Sequence, residues 1–172
     1  MTDAPLAVPL AHLITFHSYG TWLPGDPRGT VRRGDRRGDP YALASDALVK
    51  RASALLRGGP VVLRHEERAV IPGVIAEVCR WRAWRLHAAH VRSNHVHVVV
   101  GAGAPPSKIT GDLKAWATRH LVRAALRADG ARVWARAFGA RHLWQADAID
   151  GACFYVLHEQ GEIVAGTVWP AP

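Results

Sequence analysis

The segment Asn94-His95-Val96-His97-Val98-Val99-Val100 constrains this chain more than any other. Such a nearly pure β-branched run packs well on a pleated surface and poorly in a helix, so residues 95–100 read as a strand. Side chains alternate across a strand, which gives Val96, Val98 and Val100 one face and His95 and His97 the other. The two imidazoles then stand about 6.6 Å apart along the strand and can converge on one cation. Neither ring tolerates apolar burial without a partner. A shared metal ion satisfies that demand, and so does a hydrogen-bonded histidine cluster.

The rest of the chain supplies a frame. Residues 84–92 alternate Trp84, Leu86 and Ala88 against Arg85 and His87, a half-buried strand that Ser93-Asn94 joins to the histidine strand as a hairpin. An earlier strand is expected over 13–23, with Ile14, Phe16, Tyr19 and Trp22. Residues 24–40 (PGDPRGTVRRGDRRGDP) have the composition of a long loop. Helices are expected over 46–56 and over 66–82, where Ile71, Val74, Ile75, Val78 and Trp81 recur at helical spacing. Pro72 bends the second of these or marks its start. Residues 61–63 read as a short strand or the lead-in to that helix. A long helix over 107–128 carries the stripe Ile109, Leu113, Trp116, Leu121 and Ala124. A short strand falls within 138–145. A last helix over 148–160 is capped by Asp147 and stopped by Gly161, and the apolar tail to Pro172 packs back on the body. This order suits one domain spanning 1–172, an α+β layer of antiparallel sheet with helices on one face.

Charge points to the partner. Lys and Arg total 22 against 14 acids, a net charge of +8, and 19 of the 22 are arginine. Guanidinium groups bind phosphate bidentately, so nucleic acid is the natural partner. The candidate phosphate contacts are Arg28, Arg32, Arg33, Arg36 and Arg37 in the loop and Lys108, Lys114 and Arg119 on the long helix. Trp22, Trp134 and Trp144 lie near breaks and are candidates for stacking on bases; Trp116 is assigned to the core. No apolar run approaches the roughly 20 residues of a membrane span, and residues 1–12 lack the pattern of a signal peptide. A cytoplasmic, nucleoid-associated protein is expected, with Cys79 and Cys153 as buried free thiols.

A nucleophile has to come from elsewhere. Tyr155 and Glu159 are four residues apart in the last helix and share a face, with His158 close by. They either point together at a site outside the helix or form a core tyrosine beside a solvated glutamate. No phosphate-binding glycine loop, dinucleotide fingerprint or nucleophile elbow is present.

The histidine–hydrophobic–histidine motif resembles that of the HUH nucleases. The run from Ile14 to Gly29 (ITFHSYGTWLPGDPRG) is similar to the N-terminal signature of one branch of the REP-associated tyrosine transposases, and residues 155–161 (YVLHEQG) to that branch's tyrosine helix. The resemblance implies a ferredoxin-like sheet with the histidine strand central. It implies that His95 and His97 bind Mg²⁺ or Mn²⁺, and that Tyr155 attacks single-stranded DNA beside a hairpin, forming a 5′-phosphotyrosine link. The third ligand in such enzymes comes from the tyrosine helix, about one turn on; helical geometry favours Glu159, with Gln160 the alternative. The resemblance leaves monomer and homodimer both open. Two competing readings are a domesticated hairpin-DNA-binding protein without activity and a metal hydrolase of small molecules.

Overall fold

The computed structural model describes residues 8–29 and 43–161. Within them the elements are β1 (Ala11–Ser18), α1 (Asp46–Ala54), α2 (His65–Trp81), β2 (Arg85–Val91), β3 (His95–Gly101), α3 (Pro106–Arg123), β4 (Trp134–Leu143) and α4 (Ala146–His158). The strands form one antiparallel sheet in the order β2-β3-β1-β4. Each helical crossover thus skips a strand: α2 leads from β1 to β2 past β3, and α3 leads from β3 to β4 past β1. This is the ferredoxin-like α+β arrangement, with the histidine strand flanked on both sides.

Strand parity explains the layers. On one face Ile14, Phe16, Val96, Val98 and Val100 pack against Ile71, Ile75 and Val78 of α2 and Ile109, Leu113 and Leu121 of α3. On the other, Ala11, Ala88, Val99 and Leu143 meet Ala152, Val156 and Leu157 of α4. The expectation of helices on one face holds for α2 and α3, while α4 lies opposite. Val98-Val99-Val100 is apolar on both sides, so that end of β3 needs cover on both faces.

Several local features depart from the sequence reading: β4 is longer and begins at Trp134 rather than within 138–145, and α4 begins at Ala146 with Gln145, not Asp147, as its N-cap. In β2, Leu86 opposes Val100 and Ala88 opposes Val99, which leaves His87 as the extra residue of a bulge. Alternation reverses there: Leu86 packs towards α2 and α3, and Ala88 turns to α4. Helix α3 stops at Arg123 rather than near 128. Both α2 and α3 end through an alanine in the left-handed region, Ala83 (φ 55°) and Ala125 (φ 56°), where glycine is the usual signal. The Trp84 N–H to Cys79 carbonyl bond (2.8 Å) and the Leu126 N–H to Leu121 carbonyl bond (2.9 Å) close these two ends. Helix α2 runs through Pro72 and begins at His65, where the fully buried Glu67 accepts from the Arg64 N–H at 2.8 Å and pairs with the Arg127 guanidinium.

Residues 30–42 of the arginine-rich loop lie outside the described residues, and with them Arg32, Arg33, Arg36 and Arg37, as does the tail beyond Gly161. Cys79 and Cys153 are free thiols, the first buried. Among the described residues no helix is long and apolar enough to cross a membrane.

Candidate active site

Alternation along β3 delivers His95 and His97 to the face covered by α4. Register then decides their neighbours. His97 lies between Thr15 of β1 and His90 of β2, and His95 lies opposite His17 of β1. The His95 and His97 ring centroids are 4.7 Å apart, and those of His17 and His95 are 5.6 Å apart.

The hydrogen bonds around these rings orient them. The Asn94 side-chain oxygen lies 2.7 Å from His95 Nδ1. A carbonyl oxygen only accepts, so Nδ1 carries the proton and Nε2 keeps its lone pair. By the same rule His97 Nε2–H donates to Gln160 Oε1 at 3.1 Å and its Nδ1 accepts from the Thr15 hydroxyl at 2.8 Å; an ion at Nε2 would take the place of that proton and leave Nδ1–H to donate to Thr15 Oγ1. The Gln160 amide faces His95 as well. Both rings are held neutral. Burial, then the nearby Arg92, pushes His95 down to about 4; burial, then His95, pushes His97 down to about 3. Neutral imidazole is the ligating form, and an outer hydrogen bond from the other ring nitrogen is the usual support of a ligating histidine.

Tyr155 projects from α4 towards the same place. Its ring is 5.7 Å from His97, edge to face, and it is 38% exposed. His90 helps to set this distance: fully buried, it bonds through Nδ1 to the Val156 carbonyl at 3.1 Å, one residue beyond the tyrosine. Helix α4 ends at His158 and Glu159 is its C-cap, exposed to solvent. The next residue therefore leaves the helical path, and Gln160 rather than Glu159 reaches the histidines. Among the described residues no group of three or more His, Cys, Asp or Glu side chains is placed to hold a metal ion. Two imidazoles and an amide oxygen are the groups that could hold one.

The surroundings are cationic. Arg92 faces His95 and packs against Gly161, whose φ of 79° favours glycine; a Cβ there would stand 2.7 Å from Arg92 Nη1. Arg28 lies over the Trp22 ring (4.6 Å), pairs with Asp26 (2.6 Å) and acts electrostatically on His17 and His95. Trp22 in turn packs on His17 at 4.3 Å. Ser18 Oγ lies 2.6 Å from the Val61 carbonyl, and Thr21 Oγ1 lies 3.1 Å from the Asn94 carbonyl, so this first loop braces the turn that carries the histidine strand. Thr15, His90, Asn94 and Arg92 had no assigned role in the sequence, because only strand pairing brings them here.

The helical cations are placed differently. Helix α3 lies across the sheet from the histidines. Lys114 is turned inward: its Nζ donates to the carbonyls of Ala135 (2.8 Å), Arg136 (3.3 Å) and Ala137 (3.3 Å), and burial lowers it to about 8. Lys108 pairs with Asp112 at 3.0 Å, and the exposed Arg119 lies over the Trp116 ring. Trp134 is a core residue bonded to the Lys114 carbonyl, Trp144 is exposed, and Trp81, read from spacing as part of the apolar stripe, is 60% exposed.

An antiparallel ferredoxin-like sheet with a paired-histidine strand under a tyrosine helix is the class of molecule that fold and site define. Solved structures similar to this chain include a REP-associated tyrosine transposase bound to a REP hairpin, at 12% identity and a TM-score of 0.46 over 92% of this chain and 72% of that one. A candidate transposase from Deinococcus radiodurans R1 is similar at 10% identity and a TM-score of 0.47, over 87% of this chain and 91% of that one. No family model and no curated protein matches the chain.

Proposed function

We propose that this chain is a metal-dependent DNA strand transferase that cleaves and rejoins single-stranded DNA at hairpin-containing sites, with Tyr155 as the nucleophile. The observation that carries the reading is the convergence of His95, His97 and Gln160 on one spot with the Tyr155 ring 5.7 Å from His97. His95, His97 and Gln160 would hold the ion. A bound Mg²⁺ or Mn²⁺ would polarise the scissile phosphate and offset the charge developing on it. Of the two, Mn²⁺ suits a set containing two imidazoles better, because Mg²⁺ prefers oxygen donors.

The chain's own groups do the rest. The Tyr155 oxygen attacks phosphorus and loses its proton to water. The bond from phosphorus to the 3′ oxygen breaks, and that oxygen takes a proton from water and leaves as a 3′-hydroxyl. The new phosphotyrosine ester conserves the phosphodiester energy, so a 3′-hydroxyl can reverse the step without ATP. Phosphoryl transfer depends mainly on position and electrostatics, and Arg92 supplies positive charge beside the site.

The test uses a labelled DNA hairpin with a single-stranded flank, incubated with Mn²⁺ or Mg²⁺. A covalent protein–DNA product that needs the metal and disappears in Tyr155→Phe is expected. Hairpin binding without that product in any metal would mark an inactive DNA-binding protein. Failure to bind DNA, with turnover of a small phosphoester, would mark a metal hydrolase.

A further inference from the structure

A second histidine pair lies on the opposite face of the sheet from the candidate active site. His12 shares its parity with Ile14 and Phe16, which face α2 and α3. In the β1–β4 register it stands directly opposite His142. Side chains so paired have Cβ atoms about 5 Å apart, within reach of two imidazoles meeting at a point. Here they meet Nδ1 to Nδ1 at 2.9 Å, with the ring planes 70° apart.

The two rings differ in freedom. His12 is 3% exposed and its ring also bonds to the Ala102 carbonyl. With its Nδ1 against His142, that bond falls to Nε2–H, which leaves a lone pair on Nδ1 that accepts from His142 Nδ1–H; an ion takes that place when the His142 proton moves to its Nε2. A backbone carbonyl fixing the far ring nitrogen in this way is the support typical of a ligating histidine. His142 is exposed, so an ion can enter from solvent and keep waters on its open side.

We propose that His12 and His142 form a second metal site, independent of the first, that takes a divalent transition metal of square or tetragonal preference. Two nitrogens 2.9 Å apart subtend about 90° at an ion about 2.05 Å from each. That is the angle between neighbouring ligands in Cu²⁺ or Ni²⁺ complexes. A tetrahedral Zn²⁺ site needs about 3.3 Å between them, which the two rings reach only by turning apart. Cu²⁺ and Ni²⁺ are therefore taken ahead of Zn²⁺, and hard Mg²⁺ is not taken. An ion there clips the edge strand β4 to β1, and because it binds the folded state it raises thermal stability.

The experiment uses the full chain carrying His95→Ala and His97→Ala, which removes the candidate active site. Ni²⁺ is titrated by calorimetry and Cu²⁺ by electron paramagnetic resonance. One equivalent should bind, the Cu²⁺ spectrum should carry hyperfine splitting from two nitrogens, and Tm should rise. The Trp144 ring, 6.0 Å from His142, should lose fluorescence. His142→Gln on this background changes an exposed side chain and should abolish all four signals, while the metal-free Tm falls by no more than a few degrees for the altered hydrogen bond to His12. Absence of stoichiometric binding before that last substitution, or binding that survives it, would overturn the proposal and leave the pair as a simple hydrogen bond.

Discussion

Replacing Gln160 should damage metal binding far more than replacing Glu159. The amide oxygen of Gln160 lies 3.1 Å from His97 Nε2 and also faces His95, so Gln160→Ala would remove one of the three donors proposed for the ion. Loss of even an outer partner at a metal site typically lowers affinity by ~10–100-fold, which is about 1.4–2.8 kcal/mol. Loss of a donor should reach at least the lower figure. Glu159 is an exposed helix cap, and its substitution removes only a solvated charge. A unit charge about 8 Å from a divalent ion in water contributes about 1 kcal/mol, cut to about 0.4 by physiological salt, or roughly twofold in affinity. Titration with Mn²⁺ at pH 7.5, followed by the loss of its free electron paramagnetic resonance signal, separates these outcomes. Melting curves of the metal-free variants check that both remain folded. A Gln160→Ala variant within twofold of the parent, or a Glu159→Ala variant equally impaired, would refute the reasoning.

Further outcomes follow from the same geometry. His95→Ala should abolish the covalent DNA product and leave hairpin affinity within about threefold, as mobility shift reads it; normal cutting would remove the metal from the account. Arg92→Ala should slow formation of that product by ~10-fold or more, the worth of a charge-assisted phosphate contact, with Mn²⁺ affinity unchanged. Stability should fall as pH drops below 6.5. His17 and His95 are lowered to about 4 and His97 to about 3, chiefly by burial, so the native chain resists protons that the unfolded chain accepts. At pH 5 the 5%-exposed His97 alone accounts for up to about 2 kcal/mol. Urea denaturation at pH 7.5 and 5.0 measures it, and equal midpoints would contradict a neutral, buried cluster.

What could be read from the sequence was what local periodicity settles. The faces of β3 follow from counting by two, and no tertiary contact was needed to separate His95 and His97 from the three valines. Their neighbours could not be read that way. Thr15 and His17 reach the site through the β1–β3 register, which no local pattern encodes. His90 was hidden by the bulge at His87: counted from Trp84 it falls with Leu86 on the core face, and the extra residue turns it to the other. The choice of Gln160 over Glu159 turns on where α4 stops, and the periodicity that marks a helix does not fix its last residue. Lys114 looked like a surface cation because helical spacing shows which flank it occupies but not that β4 begins beside that flank. Trp81 has the spacing of a core residue but sits in the last turn of α2, and its ring meets Trp116 at 5.3 Å on the outside of the helix pair.

Strand transfer by this chain requires the phenol oxygen of Tyr155 to become bonded to DNA. After reaction with a hairpin substrate and Mn²⁺, the adduct can be digested with nuclease and protease and sequenced by mass spectrometry. A nucleotide attached by its 5′ phosphate to Tyr155, and absent without metal, is the predicted result. A modification on Tyr19 or Tyr41, or free 5′-phosphate ends with no protein attached, would contradict it.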